Sequence, residues 1–296
     1  MKDFSYEAAA TVDEAVSLLA AGGPRARVLA GGTDIIVQLR EGLREADLLV
    51  DVKKVPELMS IDYSPQRGLN LGAAVPCYRI YDDPQLQAAY PAICDAAHII
   101  GGWQIQSRAS IGGNLCNSSP AADSTPALIV HDAIAQIAGP AGTRSVKVAD
   151  FCTAPGRNVL DRGEFLVRLE LPAPEAHASS HYLRFIPRNE MDIAVVGVGV
   201  SVTLDAAGQK FVDAKIALGA VAAKPLVAEA AAKALIGQPV SDATLQKAGE
   251  AARAIATPID DMRGTIEFRK HVTGVLTARV IQLAVARARG EQRSAH

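Results

Sequence analysis

The chain has 296 residues, of which 49 % are hydrophobic and 21 % charged, values that are usual for a globular protein with a sizeable core. The formal net charge is −2 and aromatic residues make up only 4 %, which argues against a nucleic-acid partner that needs a basic face and stacking platforms. No apolar run approaches the roughly 20 residues of a membrane span, and the acidic N-terminus differs from a secretory signal, so we expect a cytoplasmic protein.

The four cysteines argue against a metal site. Cys77, Cys94, Cys116 and Cys152 form no CxxC pair, and their spacing fits no zinc or iron–sulfur signature. We therefore predict buried or half-buried free thiols and no metal bound by this chain.

The first 55 residues alternate between helical and strand patterns. They open with a helix whose start is marked by a capping box at Thr11 and Glu14. Two strands follow, with a glycine-rich turn and a short helix between them, at residues 27–30 and 48–52. This order predicts a small α/β domain over residues 1–55.

Residues 56–175 mix strands and helices. A strand at 69–75 precedes helical patterns at 78–89 and 91–99. Alternating apolar residues at 165–171 indicate another strand, which ends at a proline. These elements predict a larger α+β domain.

A polar, proline-containing segment at residues 172–180 is the best linker candidate. A third domain is expected after it, over residues 176–290, and it begins with two long strands joined by a hairpin turn, at 192–204 and 210–221. The periodicity of the C-terminal part predicts helices at 227–236, 242–256 and 265–289.

Two glycine-rich stretches indicate a ligand site. They read VLAGGTDI at residues 28–35 and ASIGGNLCNSSPAADS at residues 109–124. Paired glycines let a diphosphate approach backbone N–H donors without a Cβ in the way, and Asp123 could accept hydrogen bonds from sugar hydroxyls. The alternatives are tight turns for the glycines and a helix-start position for Asp123. Together the two stretches and the acid favour a dinucleotide cofactor.

Three segments taken together resemble one protein family. VLAGGTDI, ASIGGNLCNSSPAADS and RFIPRNEMDIAVVGVGVSV are similar, in order and spacing, to the FAD-binding medium subunit of molybdenum hydroxylases. This family includes the carbon monoxide dehydrogenase medium chain and resembles the flavin domain of xanthine dehydrogenase. The resemblance runs from Phe4 to the last helix. It implies an α+β fold with a two-domain PCMH-type FAD-binding part, followed by a C-terminal domain of a three-stranded antiparallel sheet with helices.

The resemblance also implies which residues contact FAD between the first two domains. Contacts to the diphosphate and sugar hydroxyls fall on Val28, Leu29, Ala30, Gly31, Gly32, Thr33, Asp34, Ile35, Ser110, Ile111, Gly112, Gly113 and Asn114. Single contacts elsewhere fall on Ile100, Asp123, Leu166, Arg184 and Ile193, the last of them near the isoalloxazine. The family usually has lysine where Arg184 stands, and arginine keeps the charge but changes the geometry. The alternative for Arg184 is a surface arginine on a strand.

The implied function is electron transfer within an oxidoreductase, without a catalytic acid, base or nucleophile in this chain. A large molybdopterin subunit would oxidise the substrate, and a small subunit with two [2Fe–2S] clusters would carry single electrons. This chain would collect the electrons on FAD and pass them to an external acceptor, which could be NAD, oxygen, a quinone or a protein. A dimer of heterotrimers is the expected assembly, and the substrate stays open.

One branch of the family, 4-hydroxybenzoyl-CoA reductase, carries an extra [4Fe–4S] loop with clustered cysteines in its flavin subunit. Here Leu115-Cys116-Asn117-Ser118-Ser119 follows the second glycine pair without an insertion, so we predict no cluster in this chain. Three other functions stay open at this point. They are a stand-alone FAD-dependent oxidase or dehydrogenase, a non-redox nucleotide-binding module, and a structural assembly protein.

Overall fold

A computed structural model describes residues 2–188 and 191–291 of the chain. Its first part is a three-stranded parallel sheet with the strand order β1-β3-β2. The elements of this part are, in chain order, β1 (Ser5–Ala8), α1 (Val12–Ala21), β2 (Ala26–Leu29), α2 (Ile35–Arg40) and β3 (Leu48–Asp51). Strand β1 does not follow from the sequence pattern, because it is short and mostly exposed and therefore lacks an apolar alternation.

Helix α1 begins with the predicted capping box. The Oγ1 atom of Thr11 accepts a hydrogen bond from the Glu14 N–H (3.1 Å), and the Glu14 carboxylate accepts one from the Ala10 N–H (2.7 Å). Ala15 and Leu19 are buried one turn apart on the face that packs on the sheet. The helix therefore combines a satisfied N-terminus with a single apolar face.

The second part is built on a five-stranded antiparallel sheet with the strand order β4-β5-β10-β6-β7. Its elements are α3 (Pro56–Met59), β4 (Ile61–Ser64), β5 (Gly68–Gly72), α4 (Cys77–Tyr81), α5 (Pro84–Ala89), α6 (Pro91–Ile99), α7 (Trp103–Gln106), α8 (Ile111–Asn117), α9 (Ser124–Val130), β6 (Ile134–Gly139), β7 (Gly142–Lys147), α10 (Val148–Phe151), β8 (Cys152–Ala154), β9 (Arg157–Asn158) and β10 (Phe165–Leu171). The helix predicted at 78–89 is two helices, because Asp83 caps a new helix start and its carboxylate accepts a hydrogen bond from the Gln85 N–H (2.8 Å).

The third part is an antiparallel sheet with the strand order β11-β12-β13-β14, packed against helices. Its elements are β11 (Ala178–Phe185), β12 (Val196–Leu204), β13 (Phe211–Gly219), β14 (Leu226–Val227), α11 (Glu229–Lys233), α12 (Asp242–Ile255) and α13 (Ile266–Ala288). The predicted α+β class is confirmed, and the C-terminal sheet has the three long strands expected of it plus β14, which has two residues. Strand β12 starts later than predicted and follows a loop in which Met191 has a positive φ of 53°.

The third part is joined to the second by a partly buried ion pair. Arg287 of α13 donates to both carboxylate oxygens of Asp95 of α6 (2.7 and 2.8 Å), and the Tyr182 N–H of β11 donates to the same carboxylate (3.1 Å). Helix α9 also packs directly on β12, since a Cβ on Gly199 would lie 2.8 Å from the carbonyl oxygen of Pro126. The contact with β12 positions α9, and with it the end of the second glycine-rich stretch.

Helix α13, with 23 residues, carries charged side chains along much of its length. Neither α13 nor any other helix within residues 2–188 and 191–291 has the length and apolar character that crossing a bilayer requires.

Candidate cofactor site

A cavity of about 510 Å³ is lined by residues of both the first and the second part of the chain. Cofactor sites usually have volumes of roughly 300–1,000 Å³, so this cavity is of the right size. Most residues predicted from the resemblance line it, namely Val28, Ala30, Gly31, Gly32, Thr33, Asp34, Ile35, Ile100, Ser110, Gly112, Gly113, Asn114 and Leu166. The fold thus brings the two glycine-rich stretches to the same cavity.

The first glycine-rich stretch forms the turn between β2 and α2. Gly32 has a φ of +80°, a conformation that side chains rarely adopt, so glycine is needed there for the turn itself. The carbonyl oxygen of Ala30 accepts a hydrogen bond from Lys53 Nζ (3.0 Å), and the same ammonium group binds Asp51 (2.8 Å). The backbone of the turn is therefore held in place from the end of β3.

Gly31 of the first glycine-rich stretch contacts Arg108, the residue just before the second stretch, and Ala109, its first residue. A Cβ on Gly31 would lie 1.9 Å from the carbonyl oxygen of Arg108, so only glycine allows the two backbones to approach this closely. The Nε atom of Arg108 donates in turn to the Gly31 carbonyl oxygen (3.0 Å). Gly31 therefore serves the contact between the stretches, in addition to lining the cavity.

The two glycines of the second stretch lie in the first turn of α8, and they have different roles. Ser110 caps the helix, with its Oγ accepting a hydrogen bond from the Gly113 N–H (3.0 Å). A Cβ on Gly112 would lie 2.4 Å from the carbonyl oxygen of Ala73, so this glycine lets α8 pack on the chain after β5. A Cβ on Gly113 would meet only the Ser110 Oγ within 4 Å, so Gly113 leaves open space at the cavity wall.

A side-chain bridge also connects the two stretches. Asn117, at the end of α8, donates from Nδ2 to the Asp34 carboxylate (3.1 Å) and accepts at Oδ1 from Gln38 Nε2 (2.9 Å). All three side chains line the cavity. Asn117 and Gln38 were not predicted, and the only available signal was that Asn117 lies within the second stretch.

Replacing Asn117 by alanine removes both hydrogen bonds of this bridge. We expect the free energy of unfolding to fall by about 1–3 kcal/mol, since the polar partners Asp34 and Gln38 lose their contact. Denaturant unfolding of the purified chain measures this change, with Gln66→Ala as the control, because Gln66 makes its hydrogen bond to Ser64 in an exposed turn. An Asn117 variant as stable as that control would show that the bridge does not hold the stretches together.

Asn158 and Cys116 also contribute to the cavity wall. The Nδ2 atom of Asn158 donates to the carbonyl oxygen of Cys116 (2.8 Å) and so ties β9 to α8. Burial raises the pKa of the Cys116 thiol to about 12, which keeps it protonated and unsuited to act as a nucleophile at neutral pH. No pattern in the sequence could have identified Asn158.

Asp123 and Arg184 contact each other and do not line the cavity. One carboxylate oxygen of Asp123 accepts from Arg184 Nη1 (2.7 Å), and the other accepts from the Tyr182 hydroxyl (2.9 Å). Asp123 stands at the start of α9, as its alternative interpretation has it, but its side chain makes no capping hydrogen bond. The Arg184 side chain is only 7 % exposed, so Arg184 is not a surface arginine.

Burial has the largest effect on the pKa of Asp123 in this pair. It raises the pKa of Asp123 to about 6, although Arg184 and the Tyr182 hydroxyl act in the opposite direction. Asp123 is connected to the cavity wall indirectly, since its neighbour Ser124 donates from Oγ to the Asn114 side chain (2.7 Å).

Three further predicted residues also lie outside the cavity lining. Leu29 packs with Leu39 in a small core beside the sheet. Ile111 is buried in the core of the second part. Ile193 is 52 % exposed and follows the positive-φ residue Met191 in the loop before β12.

The chemistry of the cavity wall suits a dinucleotide. Apolar side chains such as Leu58, Ile100 and Leu166 can contact rings, while Thr33, Asn114 and the arginines Arg27 and Arg44 provide donors for phosphate and hydroxyl groups. Within residues 2–188 and 191–291 no group of three or more histidine, cysteine or acidic side chains could hold a metal ion.

Comparison with known proteins matches both halves of the chain to domain families. Residues 2–174 match the FAD binding domain in molybdopterin dehydrogenase, and residues 181–284 match the CO dehydrogenase flavoprotein C-terminal domain. A putative xanthine dehydrogenase FAD-binding subunit of Escherichia coli strain K12 is 35 % identical, over 98 % of this chain and 99 % of the relative. The carbon monoxide dehydrogenase medium chain of Afipia carboxidovorans is 31 % identical, over 97 % and 98 % of the two chains.

Solved structures agree with the sequence relatives. A chain of the Hydrogenophaga pseudoflava carbon monoxide dehydrogenase that lacks the Mo-pyranopterin moiety superimposes with a TM-score of 0.91, at 30 % identity, over 97 % of this chain and 98 % of that one. A chain of quinoline 2-oxidoreductase from Pseudomonas putida 86 superimposes with a TM-score of 0.89, at 31 % identity, over 97 % and 99 %.

Proposed function

The chain belongs to the FAD-binding medium subunits of molybdenum hydroxylases, and we propose that its cavity holds FAD. The bound FAD would serve electron transfer within a multi-subunit oxidoreductase. One observation carries the proposal: the two glycine-rich stretches, joined at Gly31 and Arg108, line one cavity of cofactor size. A structural protein of the same fold would have no need for this close approach around an open space.

In this proposal the two stretches hold the diphosphate and the sugar hydroxyls. Thr33 and the helix starts of α2 and α8 supply donors, and Gly113 leaves room for the ligand to approach the backbone. Ile100 and Leu166 provide apolar contact and exclude water from the wall. Bound FAD would supply the redox chemistry, because a flavin can accept electrons one at a time and hold two of them.

We propose that the isoalloxazine lies towards the loop that contains Ile193. This loop meets the segment after Ile100, where Gln104 Nε2 lies 3.6 Å from the Met191 sulfur. Arg184 belongs to the strand that leads into the loop, and its ion pair with Asp123 fixes the end of that strand. Asp123 then acts by positioning Arg184 and α9, and not as a direct ligand of cofactor hydroxyls.

The partners follow from the family. We propose a large molybdopterin subunit that oxidises the substrate and a small subunit with [2Fe–2S] clusters that delivers electrons to this chain. Two heterotrimers are proposed to pair in the cytoplasm, and an external acceptor takes the electrons from FAD. The chain itself needs no acid, base or nucleophile for this role, which is consistent with the protonated state of Cys116.

Affinity purification of the tagged chain from its native cells tests the proposal. We expect two co-purifying chains, molybdenum in the complex, and flavin released as FAD on denaturation of this subunit. The isolated subunit is expected to contain no iron. A chain that purifies alone and oxidises a substrate without molybdenum would reverse the proposal in favour of a stand-alone oxidase, and about four irons per isolated chain would contradict the absence of a cluster.

A further inference from the structure

Arg27 is a partly buried arginine in the cavity wall that the family resemblance does not assign. It lies on β2, which leads directly into the first glycine-rich stretch. Its Nη1 atom donates to the carbonyl oxygens of Pro24 (2.7 Å) and Ala26 (2.9 Å), which bends the side chain back over the preceding 3₁₀ turn. Its Nε atom is buried and has no hydrogen-bond partner. A buried donor without a hydrogen-bond partner destabilises the folded chain, so an acceptor on a bound ligand would stabilise this N–H group.

The arginines around Arg27 also lack ion-pair partners in the described part of the chain. Arg44 and Arg162 line the same cavity, and in the described part of the chain no carboxylate forms an ion pair with any of the three arginines. Asp34 is the acid whose charge interacts with Arg44, and its carboxylate already accepts a hydrogen bond from Asn117. Burial, and to a smaller extent the charge of Arg44, lower the pKa of Arg27.

Arg25 provides a contrast on the same turn. Its guanidinium binds Asp47 (2.7 Å) and Glu45 (3.5 Å), both from the segment before β3. Arg25 and Arg27 are thus two residues apart, yet only Arg25 has its charge balanced within the chain. Arg25 therefore belongs to a surface ion pair, whereas the guanidinium of Arg27 is available to a ligand.

We propose that Arg27, assisted by the charge of Arg44, binds the diphosphate of FAD; the inference rests on the proposed function. The cavity is lined by the residues expected at the diphosphate, whereas Ile193, expected at the isoalloxazine, is not part of it. The space beside Arg27 therefore takes the adenosine diphosphate half of the cofactor. A guanidinium donates in a fixed planar geometry that suits a phosphate oxygen, and it stays charged even when it is partly buried.

The test compares FAD and ADP binding to the apoprotein. FAD is titrated by the quenching of flavin fluorescence, and ADP, which carries both phosphates and no flavin, is measured by its competition with FAD. In Arg27→Met we expect the affinity for FAD and for ADP to fall by the same factor, about 10- to 100-fold, the effect of losing one charge-assisted hydrogen bond. Arg44→Gln, an exposed position that leaves the fold intact, should lower both affinities by a smaller factor.

Arg25→Met is the matched control, because it removes the same charge from the same turn and should leave both affinities unchanged. The inference is overturned if FAD affinity in the Arg27 and Arg44 variants equals that of the control, or if FAD affinity falls while ADP affinity does not. If Arg27→Met fails to fold, the Arg44→Gln result decides by the same criteria. A wild-type chain that binds no FAD would instead overturn the proposed function, so the two failures are distinguishable.

Discussion

Replacing Gly31 by alanine is expected to leave most of the purified chain without FAD and to lower its free energy of unfolding by about 3 kcal/mol or more. The added Cβ would lie 1.9 Å from the carbonyl oxygen of Arg108 and 2.5 Å from its carbonyl carbon. These are backbone atoms, so no side-chain rotation can relieve the overlap. The two glycine-rich stretches must move apart, and the cavity between them changes shape.

Gly42→Ala is the control for this experiment. Gly42 lies just after α2, has a φ of +72°, and has open space around the position of a Cβ. Alanine there should cost only the backbone strain of about 1–2 kcal/mol and leave FAD binding intact. Flavin content after desalting and denaturant unfolding are measured on both variants. Stoichiometric FAD in Gly31→Ala would contradict the role of this contact in forming the site.

Arg184→Met should destabilise the chain by about 3–5 kcal/mol at pH 8, because it leaves the buried Asp123 carboxylate without its cation. The loss should be smaller at pH 5.5. The folded-state pKa of Asp123 is raised to about 6, above that of the unfolded chain, so Asp123 favours the folded state when protonated and this contribution is lost as the pH rises through about 6. Without Arg184 that pKa rises further, and the cost of ionising Asp123 grows with pH.

Two comparisons make this result specific. Arg168→Met removes a half-exposed ion pair with Glu170 and should cost less than about 1 kcal/mol at both pH values. The double variant Asp123→Asn with Arg184→Met should recover part of the stability lost in the single variant, since it removes the buried charge as well. A loss in Arg184→Met that is independent of pH would show that Asp123 is not the group left uncompensated.

The glycine-rich stretches were predictable from the sequence, but the reasons for individual glycines were not. Paired glycines at the junction of a strand and a helix indicate a close backbone approach, which is a local property. Gly31 and Gly112, however, are required by contacts with Arg108 and Ala73, residues that only the folded chain brings near. Local patterns therefore indicate which segments line the cavity, but they do not show which tertiary contacts bring those segments together.

The charged groups show the same limit. Asp123 and Arg184 were each identified from the resemblance, but nothing in the sequence indicates that two residues so far apart form a buried pair. Arg27 lies one residue before the first stretch and was not identified, because its importance depends on the lack of a carboxylate partner. Pairing between distant charges is a property of the tertiary structure, and a single sequence does not reveal it.

Some secondary-structure elements are likewise marked by local sequence signals, whereas others depend on tertiary contacts. The capping box at Thr11 and Glu14 marks a helix start, and Asp83 with Pro84 is an equivalent signal that divides the helical pattern at 78–89 into two helices. Strand β1 is held by its pairing with β3, in which Ser5 lies opposite Leu48, and its own residues carry little strand signal. Short edge elements of this kind are specified by their neighbours.

A reductive titration of the isolated chain, followed by flavin absorbance, tests the central claim most directly. We expect one FAD per chain, bleached by two electron equivalents, with no absorbance from an iron–sulfur cluster. Gly31→Ala, treated in the same way, should show little or no flavin. A wild-type chain that binds no flavin after reconstitution with FAD, or that takes up electrons into a bound cluster, would contradict the assignment of the cavity as a flavin electron-transfer site.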